Sequence, residues 1–413
     1  MQRLLGGGLA AALTTTKPRS QPALPPTRRR AAFAMFATVS ACLALGGPPA
    51  PAAAAGTGDR DRSTTTALRA GGPATIAPAR HVRTLPASTE QVPATVPWRN
   101  DEAVPLDRFL TESQTRAFVV VHDGKLVTER YFFGTTAETP LPSWSVAKSM
   151  AGLLVGQAIR ERRLTLDTRM VDVLPWLEVT GRRSRGYNRI TVRDLLDMTS
   201  GIDAPEDYDL ASGTEGTIAM LLSPDLRQYV RARRNMLFKP GDKFEYLSFN
   251  TQLLSMVLQK VFGKSYVEAF TQRLWRPAGA EFPATWDRDA KGVARGFCCL
   301  NAAARDVARL GLLVLDANGS RSARVSRAWR RRLLTPRRRM DGDWGYSTAF
   351  WHPEGAEAGR RSADATGIGI LGQYMYVNTR TDTVIVKMSS HGIEQDERET
   401  FRAMRSIADS WAR

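Results

Sequence analysis

Two β-rich stretches far apart in the chain constrain its fold more than any other feature. Residues 117–122 and 125–133 are β-rich runs joined across Asp123-Gly124, a dipeptide that favours a tight hairpin turn. Far downstream, residues 373–377 and 383–388 repeat the pattern around the turn-forming stretch 378–382. Between them, helical patterns run over 145–161, 191–198, 250–261 and 302–316. The last segment, 397–411, sets Phe401, Met404, Ile407 and Trp411 on one helical face, which should pack back on the strands. These patterns predict an α/β chain of the α+β kind. An antiparallel sheet built from both chain ends is flanked by helices, with a helical insertion over about 150–310. A cleft between sheet and insertion is where a site would sit.

The N-terminal part reads differently. Arg28, Arg29 and Arg30 precede an apolar stretch from Ala31 to about Gly47, and small residues follow over 48–56. A positive head, an apolar stretch too short to span a bilayer comfortably and a small-residue cleavage site describe an export signal over residues 1–56. The expected destination is the outside, the periplasm or the cell envelope of a bacterium. Cys42 is open to two readings: an ordinary residue of the apolar stretch, or the lipid-anchor site of a lipoprotein and so the chain's one membrane link. Residues 57–100, rich in Thr, Ala, Pro and Arg without an apolar period, read as a flexible linker, so the globular domain is expected over 101–413. No other stretch is long enough for a transmembrane helix.

The formal charge of +17 raises the question of a nucleic-acid or anionic-surface partner. Residues 1–56 hold six basic residues and no acid, and residues 57–100 hold six against three, which leaves +8 for 101–413. Only 9 of the 58 basic residues are Lys, a bias that looks compositional rather than directed at a ligand. The runs 330–332 and 337–339 flank a helix end and read as a solvated face, without the interleaved aromatics of a nucleic-acid groove. No nucleic-acid partner is expected. At 43% hydrophobic and 24% charged, most of the chain has the means to form a core. His81, His122, His352 and His391 lack ligand spacing, so no metal is expected. Cys298 and Cys299 are adjacent, and neighbouring Cys rarely bond to each other, so they read as small core residues.

Ser145-Val146-Ala147-Lys148 is the one place where Lys follows Ser by three. On a helix this spacing puts both side chains on one face, a turn apart. The segment after it, 149–159, is apolar almost all round, so the helix should be buried with its start at a cleft. A Lys held there loses solvation, its pKa falls, and it can serve as a neutral base toward the Ser hydroxyl. The Ser145 N–H at the helix start is then aimed at a developing oxyanion. Taken alone, S-x-x-K also describes a capped helix with a snorkelling Lys. Residues 240–250 end a loop and start a helix, with Ser248 and Asn250 both suited to capping it. Tyr246 at that junction is either a packed aromatic or, beside a cationic Lys, a proton shuttle.

Taken in order, Ser145-Val146-Ala147-Lys148-Ser149, the run I-T-V-R-D-L-L-D-M-T-S-G over 190–201, Pro240-Gly241 followed by Tyr246, and A-A-A-R-D-V-A-R-L-G over 302–311 resemble the serine β-lactamase-related superfamily. The resemblance covers about residues 104–410 and is nearest to the class C-like branch, especially the 6-aminohexanoate-dimer hydrolases and related esterases. It implies the β-lactamase/transpeptidase fold and a serine hydrolase without a cofactor, acting on small-molecule esters or amides. Ser145 would be the acylated nucleophile, Lys148 its base and Tyr246 the proton relay. In those hydrolases the Tyr motif is Tyr-x-Ser, which Tyr246-Leu247-Ser248 fits, so Ser248 is a candidate substrate contact.

The third family motif differs. Where relatives carry Lys-Thr-Gly, this chain reads A-T-G-I-G-I-L-G-Q over 365–373, with no Lys or His at its head. Alignment on Gly372-Gln373 makes Gly369 the motif glycine and the Ile370 N–H the second oxyanion donor; a register two residues earlier, on Gly367-Ile368, serves equally. Losing the cation disfavours carboxylate-bearing β-lactams and peptides and favours neutral esters or amides. The same stretch spells G-x-G-x-x-G, but it runs into strand-like residues rather than opening a helix, which argues against a dinucleotide site. The G-x-S-x-G elbow is absent. Trp344 and Trp351 either line the pocket or belong to the core. A sensor that keeps this fold without turnover is the main competing expectation.

Overall fold

The computed structural model describes residues 72–412 apart from 101, 183–185, 209–214, 317–323, 340–343, 353–357 and 391–396. The export signal over 1–56 with Cys42, the first part of the linker and His391 lie outside the described residues. In chain order the strands are β1 (Ala74–Ile76), β2 (Thr95–Trp98), β3 (Glu102–Pro105), β4 (Thr115–His122), β5 (Lys125–Tyr131), β6 (Leu141–Pro142) and β7 (Ala284–Trp286). They continue with β8 (Leu300–Ala302), β9 (Arg338–Arg339), β10 (Gly345–Ser347), β11 (Phe350–His352), β12 (Asp364–Gly369), β13 (Gln373–Asn378) and β14 (Thr383–Ser389). The helices that cover the sheet or build the site are α1 (Leu106–Glu112), α2 (Val146–Arg160), α3 (Val192–Leu196), α4 (Ser248–Phe262), α5 (Ala304–Leu315), α6 (Arg327–Leu333) and α7 (Glu397–Asp409).

Eight strands form one sheet in the order β5-β4-β14-β13-β12-β11-β10-β9, with every neighbouring pair antiparallel. The hairpin near the chain's start therefore pairs with strands from its end, as the two β-rich patterns predict. Side chains alternate between faces along each strand. On one face Phe118 and Val120 of β4, Tyr374 and Tyr376 of β13 and Ile385 of β14 pack with Phe109 of α1 and with Phe401, Met404 and Ile407 of α7; Trp411 lies against this core. Opposite-parity residues meet α5: a Cβ on Gly311 would lie 2.7 Å from Val384 Cγ1, so glycine lets the helix lie close to the sheet. Both faces are covered, which is why β4 is apolar without interruption over 117–121.

The structure differs from the sequence reading in three places. Residues 72–100, taken from composition as linker, are built into the fold. β1 edges a second sheet of order β1-β7-β8-β6, β2 pairs with β3, and Ile76, Val96 and Trp98 are buried. Their apolar residues are too widely spaced to make a period; backbone pairing to edges formed elsewhere does the ordering, as where the Ala79 and Arg83 N–H groups donate to Ala280 O and Gly279 O. That second sheet also means the stretch between the β-rich ends is not purely helical. Finally, Arg332 of the supposed solvated face is buried and paired with Asp197 at 2.5 Å. Consecutive residues of a helix point about a quarter-turn apart, so a basic run on α6 cannot all face water; Trp329, Arg332 and Leu333 face inward.

Candidate active site

Ser145 immediately precedes α2, after Trp144 in the left-handed region at φ +46°. Every residue of α2 from Val146 to Ala158 is buried, and Lys148, one turn after Ser145, is only 1% exposed. Its Nζ lies 2.7 Å from Ser145 Oγ and donates to Phe297 O at 3.0 Å. Burial pushes the Lys148 pKa down to about 8, with the charge of Glu206 pulling it back up. An amine of that pKa has a substantial neutral fraction near physiological pH, and the Ser hydroxyl is within its reach.

Tyr246 comes from the loop before α4, and its ring centroid is 5.0 Å from Lys148 Nζ. Desolvation holds its phenol well above the usual range, Glu206 adds to this, and a hydrogen bond with Ser145 works the other way. The phenol therefore keeps its proton until a leaving group or a charged neighbour claims it. Ser248 does not cap α4 through its side chain, contrary to expectation; the N-cap is Leu247, without a side-chain cap. Glu206 does that work from another loop, accepting the Ser248 N–H at 2.5 Å, the Ser248 hydroxyl at 2.6 Å and the Tyr208 hydroxyl at 2.6 Å. An anion at a helix start is favoured by the N–H groups exposed there. Asn250, the other expected cap, is buried within α4 and donates from Nδ2 to Met198 Sδ.

β12 passes α2 at the distance of a glycine. A Cβ on Gly369 would fall 2.6 Å from Ser143 O and 3.0 Å from Ser145 N, and one on Gly367 would fall 2.8 Å from Ser149 Oγ. Of the two registers left open, the one on Gly369 therefore puts the motif glycine against the Ser145 amide. Ile370 begins the turn back to β13, which Leu371 (φ +64°) and Gly372 (φ +80°) complete. Gln373 clamps that turn: its Nε2 donates to Leu371 O and Ser389 O, both at 2.8 Å, and its Oε1 accepts the Ser389 N–H at 3.2 Å. Trp351 of β11 is half-buried, its ring 5.1 Å from that of Tyr246 and 5.0 Å from that of Tyr346, with Trp344 and Phe244 at its edges. Tryptophan and tyrosine rings thus wall one side of the cluster of Ser145, Lys148 and Tyr246.

Ser145, Lys148, Tyr246, Ser248, Gly369 and Trp351 come together, with Ile370 beginning the adjoining turn. Glu206 and Phe297 complete the surroundings and carry no sequence signal of their own, whereas Gln373, the residue on which the third motif is aligned, clamps the adjoining turn. A further expectation is overturned: Cys298 and Cys299 are joined by a disulfide, with Cα atoms 3.7 Å apart. Both are buried, as core residues would be, but Cys299 takes φ +75°, a turn-like backbone that lets the two neighbouring sulfurs meet.

Comparison with known proteins follows the same lines. The family model described as beta-lactamase matches residues 106–409. The 6-aminohexanoate-dimer hydrolase of Paenarthrobacter ureafaciens is 32% identical over 307 residues, 69% of this chain and 75% of that one. Among solved structures, one from Bacillus anthracis assigned as a 6-aminohexanoate-dimer hydrolase aligns with TM-score 0.70 at 22% identity, covering 84% of this chain and 95% of its own. A family VIII carboxylesterase aligns with TM-score 0.56 at 16% identity over 73% and 94%.

Proposed function

The chain belongs to the beta-lactamase family, and from that premise we propose that it hydrolyses carboxylic ester or amide bonds through an acyl-enzyme on Ser145. The observation that carries this reading is the buried Lys148 amine 2.7 Å from the Ser145 hydroxyl. Neutral Lys148 takes the hydroxyl proton as Ser145 Oγ bonds to the substrate carbonyl carbon. The carbonyl oxygen becomes an oxyanion between the Ser145 and Ile370 N–H groups. As the tetrahedral centre collapses, the bond to the leaving oxygen or nitrogen breaks, and Tyr246 passes on the proton that Lys148 acquired. Water then repeats the sequence against the acyl-Ser145 carbonyl, releasing the acid and restoring the serine.

Substrate class follows from charge and shape. With Gly369 as the motif glycine, Gly367 stands where relatives carry the motif Lys, so that cation is missing, while the nearby acid Glu206 disfavours a substrate carboxylate. Neutral esters or amides fit better than β-lactams, their apolar part resting against Trp351. The hydrolase and carboxylesterase relatives support cleavage of an amide or ester bond. Mass spectrometry after incubation with a fluorophosphonate should show one adduct, on Ser145. Ser145→Ala should lose both adduct and p-nitrophenyl ester turnover, and turnover that survives the substitution would sink the reading.

A further inference from the structure

Residues 297–300 touch the catalytic segment twice. Phe297 O accepts the Lys148 amine at 3.0 Å, and Leu300 O accepts the Ser143 N–H at 2.8 Å, two residues before the nucleophile. Between these carbonyls stand only Cys298 and Cys299, disulfide-bonded to each other and 3% and 4% exposed. Their backbone is tied on both sides, the Cys298 N–H donating to Arg295 O at 3.2 Å and the Asp287 N–H to Cys299 O at 3.0 Å. A bond between adjacent cysteines closes a small ring containing the peptide bond that joins them. Rotation of both residues is then restricted, including Cys299 at φ +75°, where a side chain is disfavoured.

We propose that the Cys298–Cys299 disulfide is a positioning device for the nucleophile, holding the Phe297 and Leu300 carbonyls so that Lys148 Nζ faces Ser145 Oγ. This rests on the acyl-enzyme reading above. A neutral amine has one lone pair; an N–H committed to Phe297 O leaves that pair aimed at the Ser145 hydroxyl proton. Without the ring, residues 297–299 gain backbone freedom, the carbonyl departs and the amine turns. Reduction has the same effect: a trialkylphosphine breaks the S–S bond, two S–H groups form with hydrogens from water, and the phosphine takes the water oxygen to become its oxide.

The Lys148 amine faces the Glu206 charge, the Tyr246 phenol and the Ser145 hydroxyl, and none of these is altered by exchanging the cysteines. Removing a carbonyl acceptor disfavours the buried ammonium form, so its pKa falls. Cys298→Ser/Cys299→Ser should therefore lower plateau kcat on the order of tenfold or more and move the acid limb of the pH profile to lower pH. Changed folding stability alone would scale the plateau without moving the limb. Phosphine-treated wild type, once peptide mapping finds both thiols free, should match the variant. The proposal is overturned if native peptide maps lack the species two hydrogens lighter, or if the double variant keeps the wild-type profile. Ser145→Ala in parallel separates the two claims: turnover surviving there condemns the acyl-enzyme reading, whereas loss there with a wild-type double variant condemns the positioning role alone.

Discussion

Glu206 is the residue whose role is least visible in the sequence and most consequential in the site. Ser145 and Lys148 can be read from a spacing of three because a helix turns that spacing into contact. Tyr246 and Ser248 can be read because their motif is contiguous. Glu206 works across 42 residues to Ser248, and Phe297 across 149 to Lys148, through loops with no periodicity to betray them. Glu206 raises the pKa that burial of Lys148 has brought down to about 8. In the proposed mechanism Lys148 acts as a neutral base, so kcat/KM for a neutral ester should rise as pH climbs through about 8. Glu206→Gln keeps a side chain able to accept the Ser248 N–H but removes the charge. Lys148 then loses its proton more readily, so the half-maximal point should move to lower pH, by about one unit. A pH–rate profile decides it, and a shift toward higher pH would remove Glu206 from the electrostatics of the base.

At the scale of elements, α2 was legible as a helix from its apolar character, but its glycines were not interpretable until its neighbours were in place. Gly152 and Gly156 share a face, one turn apart. A Cβ at Gly152 would lie 2.4 Å from Thr348 O, and one at Gly156 would lie 2.4 Å from Trp329 Cδ1 and Nε1. Trp329 is buried and donates from Nε1 to Gly152 O at 3.1 Å, so α6 packs close on α2 because Gly156 lacks a side chain, while the bare Gly152 admits the turn between β10 and β11. Sequence propensity argues the other way, since Ala is favoured over Gly in a helix interior by about 1 kcal/mol. The clash decides, because a buried indole has little room to retreat and overpacking costs about 1–3 kcal/mol. Gly156→Ala should therefore lower Tm by a few degrees. A raised Tm would mean that α6 is free to slide away. The same limit explains β1 and β2, whose few apolar residues acquire meaning only beside edges supplied by distant parts of the chain.

For the whole molecule, the arginine excess that first suggested an anionic partner is partly spent on joining its parts. Arg305 and Arg309 of α5 reach Glu129, Asp306 and Glu281, Arg405 of α7 reaches Asp364 on the sheet, and Arg83 reaches Asp316. Among the described residues, the pair most withdrawn from water after Arg309 and Asp306 is Arg332 with Asp197, at 8% and 7% side-chain exposure. It ties the end of α3 in the helical part to α6, while the other Asp197 oxygen accepts the Thr348 N–H at 3.1 Å, between β10 and β11. Asp197 lies in the family-like run 190–201, but nothing in the sequence paired it with a residue in a basic stretch 135 positions away. Breaking a buried pair leaves a charge without compensation, which costs about 3–5 kcal/mol, whereas replacing both partners with apolar residues of similar volume is often neutral. Asp197→Ala should therefore lower unfolding stability by several kcal/mol in urea titrations. Adding Arg332→Met should restore a large part of the loss by removing the orphaned guanidinium. If the double variant is as unstable as the sum of the two single ones, the charges are not coupled across this junction, and the Asp197 contribution lies in its bond to Thr348 alone.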